Sequence, residues 1–357
     1  MPVMLMCNAQ RSNGVHVSVS KVAIVLLNWN GWRDTNACLE SLLDLQNDHI
    51  GIFVCDNASS DDSVAQIRSW AETGLAAANA RRLAHGRQGF DFLDLSALPS
   101  DGQAPSRLPE GGLDTITLIQ TGRNGGFAAG NNVGIRHALA GDFDYFWLLN
   151  NDTEVEPDAL TWLIRRMEED PQVGMCGSTL IYHGQRDLIQ NWGGASFIAL
   201  KGRGIQLGER KKPSDPIDRS AVEAQLGYIS GASMFVSRAF LEQVGLMQED
   251  YFLYWEELDW ATRARGLFKL GYAPKSVVYH KVGASIGTND FGDRSPLSDY
   301  YMARGRVKFC SRFSKISLPF AIADISRDAL RWGARGNWSR AGLLVRAIIG
   351  LPYVKPA

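Results

Sequence analysis

The residues best suited to chemistry in this chain follow a run of large apolar side chains. In residues 144–153 that run ends at Asn150, Asn151 and Asp152. The pattern predicts a fully buried strand that brings Asp152 to the carboxyl edge of a sheet, where open α/β sheets bind ligands. A carboxylate beside amides suits a hard divalent cation that also binds phosphate oxygens. The first hypothesis is that Asp152 belongs to a metal–diphosphate site. The alternative is that Asp152 is only a turn residue that leads into a helix near Pro157.

A second acidic segment follows an aromatic one. Residues 251–255 contain four aromatic side chains and precede Glu256 and Glu257. Burial among aromatic rings would raise the proton affinity of a carboxylate that projects from this segment. The alternative is the ordinary acidic first turn of a helix.

Two further side chains are candidates on weaker grounds. His280 ends a predicted strand over residues 276–280 and could bind a metal, although a lone His is more often a core or surface residue. Trp192 precedes two glycines in a polar, Gly-rich stretch, residues 182–226. It could stack on a sugar ring, or it could simply fill the core.

The elements that must position these residues alternate along the chain. Predicted strands over residues 22–27, 50–55 and 116–119 are each followed by a polar or Gly-rich segment and then by a predicted helix. This alternation predicts an α/β fold with a parallel sheet and right-handed crossovers. The glycines after the third strand could approach a ligand or allow close helix packing; they match neither a dinucleotide fingerprint nor a Walker A loop.

Charge and cysteine usage limit the class of protein. The 357 residues carry a net charge of -1, but residues 300–357 hold eleven Lys and Arg against two Asp, a net of +9 that leaves -10 for residues 1–299. A basic tail on an acidic body suggests an anionic partner, either a membrane or a nucleic acid. The five cysteines are odd in number and unpaired by motif, which favours reduced, mostly buried thiols in a cytosolic protein. We found no apolar run of the roughly 18 residues that a spanning helix needs.

Taken together and in order, these segments resemble the inverting family 2 glycosyltransferases of GT-A fold, and more narrowly their rhamnosyltransferase-like branch. The matching segments are residues 23–31, 54–61, 124–132, 148–155, 230–235, 245–263 and 279–285. The resemblance implies a GT-A, Rossmann-like, mostly parallel central sheet flanked by helices, with a C-terminal helical extension.

The resemblance also implies a domain organisation. We expect a flexible N-terminus at residues 1–20, a GT-A glycosyltransferase domain at residues 21–299, and a basic helical extension at residues 300–357. Within the domain, residues 73–114 are predicted to be an insertion with an irregular or partly disordered path. Residues 182–226 are predicted to be an excursion on the acceptor side.

The resemblance assigns roles to individual positions. The implied donor-binding residues are Asn28, Asp56, Asn57, Asn124, Gly125, Asn132, Asn150 and Asp152. Asn28 and Asp56 would hold the nucleoside, while the loop at Asn124, Gly125 and Asn132 would line the ribose and diphosphate. The implied metal ligands are Asp152 and His280, and the candidate acceptor-binding residues are Trp192 and Trp255.

The catalytic base is implied to be the second member of an acidic pair. Asn150 replaces the first acid of the family's DxD motif, and Glu257 stands where Asp is usual. Whether Glu256 or Glu257 is the base therefore stays open, with Glu257 favoured.

The implied activity is a metal-dependent, inverting hexosyltransferase, of class EC 2.4. It would use Mg²⁺ or Mn²⁺ and a dTDP-sugar or UDP-sugar to move rhamnose or a similar sugar to a glycan or lipid-linked acceptor, in cell-surface polysaccharide synthesis. The alternatives are a sugar nucleotidyltransferase and a non-catalytic nucleotide-sugar-binding protein. We expect no nucleic-acid partner, because no such motif accompanies the tail. A cytoplasmic protein with peripheral membrane contact through residues 300–357 is expected, and a homodimer stays open.

Overall fold

A ten-stranded sheet forms the central layer of the computed structural model, which describes residues 20–96, 114–198, 202–281 and 295–355. The first half of the chain contains β1 (Val22–Asn28), α1 (Trp32–Leu43), β2 (Ile50–Asp56), α2 (Ser63–Ala84), β3 (Asp91–Asp94), β4 (Thr115–Gln120), α3 (Gly126–Leu139), β5 (Tyr145–Asn150), β6 (Thr153–Val155) and α4 (Ala159–Glu169). The second half contains β7 (Val173–Tyr182), β8 (Ile189–Trp192), β9 (Gly194–Ile198), β10 (Arg203–Gln206), α5 (Arg219–Glu223), β11 (Tyr228–Ile229), β12 (Ser233–Ser237), α6 (Arg238–Val244), α7 (Glu256–Arg263), β13 (Lys269–His280), α8 (Pro296–Phe313), α9 (Leu318–Ala334) and α10 (Trp338–Ile349).

The sheet has the strand order β3-β4-β2-β1-β5-β12-β7-β13-β6, with β8 paired to β7. The pairs on the β3 to β5 side are all parallel. Strand β12 is antiparallel to both its neighbours, β5 and β7, and β6 is antiparallel to β13. This confirms the predicted α/β fold with a mostly parallel sheet.

The apolar strand sequences place the core on both faces of this sheet. Every residue of β2 and β7 is buried, as expected for strands covered on both sides. Helix α3 packs closely on β1 through its glycines, because a Cβ atom at Gly130 would lie 2.3 Å from Cδ1 of Leu27. Close helix packing therefore accounts for part of the glycine pattern seen in the sequence.

Two segments differ from the predictions. Residues 73–94 do not follow an irregular path: α2 continues to Ala84, and β3 joins the edge of the main sheet beside β4. The rest of the predicted insertion, residues 97–113, lies outside the described residues, as does the predicted N-terminus at residues 1–19. The excursion at residues 182–226 contains β8 and α5 as well as β9 and β10, which form a small antiparallel sheet with β11.

The C-terminal helices α8, α9 and α10 carry two apolar clusters of their own. One joins the three helices to each other, and the other includes Tyr251, Trp255 and Leu258 and so joins α8 to α7. Cys38, Cys55, Cys176 and Cys310 are buried free thiols, as predicted. Within the described ranges, no helix is long and apolar enough to cross a membrane.

Candidate active site

The carboxyl ends of three neighbouring strands carry a linked set of polar side chains. Asn28 and Asp56 are register partners at the ends of β1 and β2 and are fully buried. Nδ2 of Asn28 donates to Oδ1 of Asp56 at 2.8 Å, and Oγ of Ser59 donates to the same oxygen at 2.6 Å. Oδ2 of Asp56 accepts from the backbone N–H of Ser59 at 3.1 Å, which leaves this oxygen capacity for a further donor.

The same network extends to the loop that carries Asp152. Nδ2 of Asn151 donates to Oγ1 of Thr35 at 2.9 Å, and Thr35 in turn donates to Oδ1 of Asn28 at 2.8 Å. The side chains of Thr35 and Asn28 are fully buried, where an unpaired polar group would cost free energy. Asn28 therefore orients Asp56, and Thr35 links the ends of β1 and β5.

The predicted donor loop is docked on the segment before α7. Oδ1 of Asn124 accepts from Nδ2 of Asn57 and from the N–H of Gly126, both at 3.0 Å. Gly126 has a φ of 88°, and a Cβ atom there would lie 2.1 Å from the carbonyl oxygen of Phe252. That oxygen accepts from the N–H of Phe127 at 2.8 Å. A side chain at position 126 would separate the loop from this segment.

Asn132 does not fit its predicted contact with the donor. Its side chain is fully buried, its Nδ2 donates to Met247 O and Glu249 Oε1, both at 2.9 Å, and its Oδ1 accepts from the N–H of Met247. The amide is thus used in joining α3 to the loop before α7. We correct its role from ligand contact to positioning.

Asp152 and His280 lie together, as the metal hypothesis requires. Strand β6 pairs with the end of β13, and Oδ1 of Asp152 lies 3.2 Å from Nε2 of His280. Nδ1 of His280 is 3.0 Å from Oε1 of Gln190, which orients Nε2 towards Asp152. Oδ1 of Asp152 is buried and makes no hydrogen bond of acceptable geometry.

This pair fits a divalent cation. An orphaned carboxylate oxygen beside an imidazole nitrogen is a suitable set of two ligands for Mn²⁺ or Mg²⁺. Burial would raise the pKa of Asp152, but the adjacent His280, with Lys281 nearby, holds this pKa below its usual value. In the part of the chain that the structure describes, no cluster of three or more His, Cys, Asp or Glu side chains could hold a metal ion. The remaining ligands would have to be diphosphate and water.

The two glutamates at the start of α7 have different surroundings. Glu256 is 2% exposed, and its Oε2 has no hydrogen-bond partner. Burial raises its pKa well above the ordinary value, and the neighbouring Glu257 raises it further. Glu257 is half-buried and packs on Gly231, where a Cβ atom would lie 2.5 Å from its Oε1. Burial raises the pKa of Glu257 to about 7, a value suited to a general base.

The segment before these glutamates is conformationally strained. Tyr254 and Trp255 have φ angles of 67° and 78°, in the left-handed region that bulky residues rarely occupy. Each such residue costs on the order of 1–3 kcal/mol, so the surrounding contacts must hold the segment in place.

Trp255 is not available to an acceptor as predicted. Its side chain is buried, its Nε1 donates to Met302 O at 3.0 Å, and its ring packs on Phe309 and Gly305 of α8. We therefore correct its role to that of a structural anchor between α7 and α8. Trp192, by contrast, is half-buried and lies two residues after Gln190, the partner of His280.

Backbone pairing brings the segments that carry Glu257 and Asp152 to one strand end. The N–H of Asn150 donates to Ala232 O at 3.1 Å, and Ala232 follows Gly231, on which Glu257 packs. Asp152 is two residues after Asn150, so the segments that carry Glu257 and Asp152 meet where β5 ends. The segments meet because β12, which begins directly after Ala232, pairs antiparallel with β5.

Sequence reasoning missed several residues of the site: Thr35, Ser59, Gln190 and Lys281. Lys281 pairs with Asp34 at 2.6 Å, and its N–H donates to Asp152 O. Its position directly after His280 could have indicated it as a cation near a diphosphate. We see no sequence signal that would have found Gln190, because its role depends on the pairing of β8 with β7.

Comparison with known proteins supports the family. Residues 109–245 match Glycosyl transferase family 2, which confirms the resemblance stated from the sequence. The low-salt glycan biosynthesis hexosyltransferase Agl10 of Haloferax volcanii is 26% identical over an alignment length of 164, and the match covers 43% of this chain and less than half, 47%, of that protein. The N-acetylglucosaminyl-diphospho-decaprenol L-rhamnosyltransferase of Mycobacterium tuberculosis is 25% identical over 282 residues, 71% of this chain and 84% of that protein.

A solved structure shows the same fold. The mannosyltransferase PcManGT from Pyrobaculum calidifontis, in complex with GDP-Man and Mn²⁺, superimposes with a TM-score of 0.50 at 15% identity. The likeness covers 92% of this chain and 86% of that one.

Proposed function

We propose that this chain, a family 2 glycosyltransferase over residues 109–245, is a metal-dependent inverting hexosyltransferase. It would transfer rhamnose or a similar sugar from a dTDP-sugar or UDP-sugar to a hydroxyl of a glycan or lipid-linked glycan in cell-surface polysaccharide synthesis. The observation that carries the proposal is that the segment on which Glu257 packs, at Gly231 and Ala232, pairs with the end of β5, two residues before Asp152 and its neighbour His280.

The metal would be held by Oδ1 of Asp152 and Nε2 of His280. When bound, Mg²⁺ or Mn²⁺ supplies positive charge that stabilises a departing nucleoside diphosphate. The Mn²⁺ in the PcManGT complex supports this part of the proposal. Asn150 and Lys281 adjoin this site.

The chain's own residues would perform the remaining steps. Asp56, oriented by Asn28, would accept a hydrogen bond from the base of the nucleotide, while the loop at Asn124 and Gly125 would line the diphosphate. Glu257 would remove the proton of the acceptor hydroxyl as that oxygen attacks the anomeric carbon from the face opposite the diphosphate. A single displacement of this kind inverts the configuration. Trp192 would contact the acceptor sugar.

The name of the mycobacterial relative includes a decaprenol-linked acceptor, which supports a lipid-linked acceptor for this chain. We extend the proposal to a cytoplasmic enzyme that contacts the membrane through its basic C-terminal helices. A sugar nucleotidyltransferase fits less well, because a nucleotidyltransferase is expected to have a Gly-rich loop with Arg and Lys after its first strand. Here that position holds Asn28 and the residues up to Gly31.

The test is release of nucleoside diphosphate from dTDP- and UDP-sugars by the purified chain, with and without Mn²⁺. Glu257→Gln should lower turnover by about 10²-fold or more, because the proton acceptor is lost, while nucleotide binding in a thermal-shift assay stays nearly intact. Near-normal turnover in this variant would refute the assignment of the base. Glu256→Gln, with its neutral and nearly isosteric side chain, is the matched control and should retain most of the activity.

The metal site is tested by calorimetry of donor binding. Asp152→Ala should abolish the gain in donor affinity that Mn²⁺ gives to the wild type. An unchanged Mn²⁺-dependent gain would contradict the site.

A further inference from the structure

We propose that helix α8 positions the catalytic base, so that the C-terminal helices are part of the active site rather than an appended module. Specifically, Ser298 and Met302 of α8 hold Tyr254 and Trp255 in the left-handed conformation that sets the direction of Glu257. This inference rests on the proposed function, since it assigns Glu257 as the base. Tyr254 and Ser298 are positioning residues, because they act through Glu257.

The backbone of residues 254 and 255 decides where α7 begins. Both residues have positive φ angles, and Trp255 is the residue before the first helical position. Glu256 and Glu257 are the first two residues of α7, so a change of φ and ψ at residues 254–255 would redirect both side chains. Neither Tyr nor Trp favours this conformation, which therefore needs outside support.

Helix α8 supplies that support on the amino-terminal side of the glutamates. The hydroxyl of Tyr254 lies 2.9 Å from Oγ of Ser298, whose side chain is fully buried. Nε1 of Trp255 donates to Met302 O at 3.0 Å. The absence of a side chain at Gly305 lets the indole approach closely, since a Cβ atom there would lie 2.4 Å from Cδ1 of Trp255.

Helix α8 also contacts α7 on the carboxyl side of the glutamates. Asp259 is fully buried, and its Oδ2 pairs with Nη1 of Arg312 of α8 at 2.9 Å. Its Oδ1 pairs with Nε of Arg263, and Nη1 of the same Arg263 donates to Val244 O at 2.6 Å. The contacts with α8 thus lie on both sides of Glu257, and the first turn of α7 is fixed between them.

The experiment uses the full chain and compares Tyr254→Phe, Ser298→Ala and the double variant. Each single variant should lower kcat by roughly tenfold, about the effect of one lost hydrogen bond, with the donor KM unchanged. The double variant should lose no more than either single one, because both remove the same contact. The rising limb of the kcat–pH profile should move to lower pH, because a loosened segment admits water to Glu257 and relieves its burial.

Tyr300→Phe is the matched control. It also replaces Tyr by Phe and lies on α8 close to Ser298, but the hydroxyl of Tyr300 donates to Leu351 O at 2.7 Å and not to residues 254–255. Its kcat and pH profile should equal those of the wild type, even if its melting temperature falls as much as that of Tyr254→Phe.

Two results would overturn the inference. The first is that the wild type is active and Tyr254→Phe has the same kcat and the same pH profile. The other is an equal loss of kcat in Tyr300→Phe, which would indicate general loosening of α8. Turnover by the wild type is measured in the same assay, so failure of the proposed function is seen separately from failure of this inference.

Discussion

At the scale of single residues, burial distinguishes two neighbouring glutamates that the sequence presents as equivalent. Glu256 is almost completely enclosed and has an oxygen without a partner, whereas Glu257 is half-buried beside Gly231. A buried carboxyl without a countercharge is more stable in its protonated form. Glu256 therefore suits a neutral structural role, and Glu257 suits proton transfer.

The protonation of Glu256 predicts a pH-dependent effect on stability. Its pKa in the folded protein is raised above the ordinary value of 4.5, so the folded state loses stability relative to the unfolded state as pH rises from about 4.5 towards the folded pKa. Glu256→Gln removes this loss. The variant should therefore melt at a higher temperature than the wild type at pH 8, and the difference should shrink towards pH 5.

The exposed Glu242 provides the control for this measurement. Its side chain is 62% exposed, and it lies 3.9 Å from Arg238. Glu242→Gln should change the melting temperature little and similarly at both pH values. A difference for Glu256→Gln that is the same at pH 5 and pH 8 would show that Glu256 is not protonated in the folded protein.

At the scale of elements, the site depends on how the donor loop before α3 docks on the segment before α7. The carbonyl oxygen of Phe252 lies close to Gly126 and also accepts a hydrogen bond from the N–H of Phe127. Phe252 in turn stacks on Tyr301 of α8, with ring centroids 4.6 Å apart. The loop, the segment before α7 and α8 therefore form one packed unit.

This docking predicts that Gly126→Ala is more damaging than strain alone explains. Alanine at a positive φ costs about 1 kcal/mol, and at Gly126 the added methyl group would also collide with Phe252 O. Gly86→Ala is the matched control, because its φ is 71° but nothing lies within 4 Å of the added Cβ atom. Urea unfolding should show a clearly larger loss of stability for Gly126→Ala. Equal losses in the two variants would contradict the close docking.

At the scale of the whole molecule, apolar and basic side chains are concentrated on the surface of the C-terminal helices. Of the eleven large apolar side chains that are exposed within the described ranges, eight lie in residues 316–354, so chance placement is a poor explanation. They are Ile316, Phe320, Leu330, Trp338, Val345, Ile349, Leu351 and Val354. With the net charge of +9 for residues 300–357, this surface suits anionic lipid.

Vesicle flotation tests this membrane contact. Replacement of Leu330 and Trp338, which are 75% and 74% exposed, by Glu should lower co-flotation with anionic vesicles by removing apolar contacts and adding negative charge. The same replacement at Leu83 and Leu267, which are 64% and 56% exposed elsewhere on the molecule, is the control and should have little effect. Equal flotation of the two double variants would rule out attachment through the C-terminal helices. A truncation near residue 310 is unsuitable, because it would cut α8 and remove partners of α7.

Much of the fold and part of the site could be predicted from the sequence. The strands that precede Asn28, Asp56 and Asp152 are buried on both faces, and such strands have an unbroken apolar sequence that is easy to recognise. The resemblance also implied that His280 would lie near Asp152, and the two side chains are 3.2 Å apart. The extent of α2 was predicted wrongly because its alanines and charged residues give only a weak amphipathic pattern over residues 73–84.

The amino-acid sequence is enough to identify the residues that end the strands of an α/β sheet, because strand composition is a local property and parallel strands share a carboxyl edge. Long-range packing settles which candidate side chains keep their polar atoms available. Asn132 and Trp255 were good candidates by type, but their polar atoms are taken up by Met247, Glu249 and Met302, residues that lie far away in the sequence. The contacts of α8 with Tyr254, Trp255 and Asp259 likewise depend on long-range packing, which local sequence patterns do not encode.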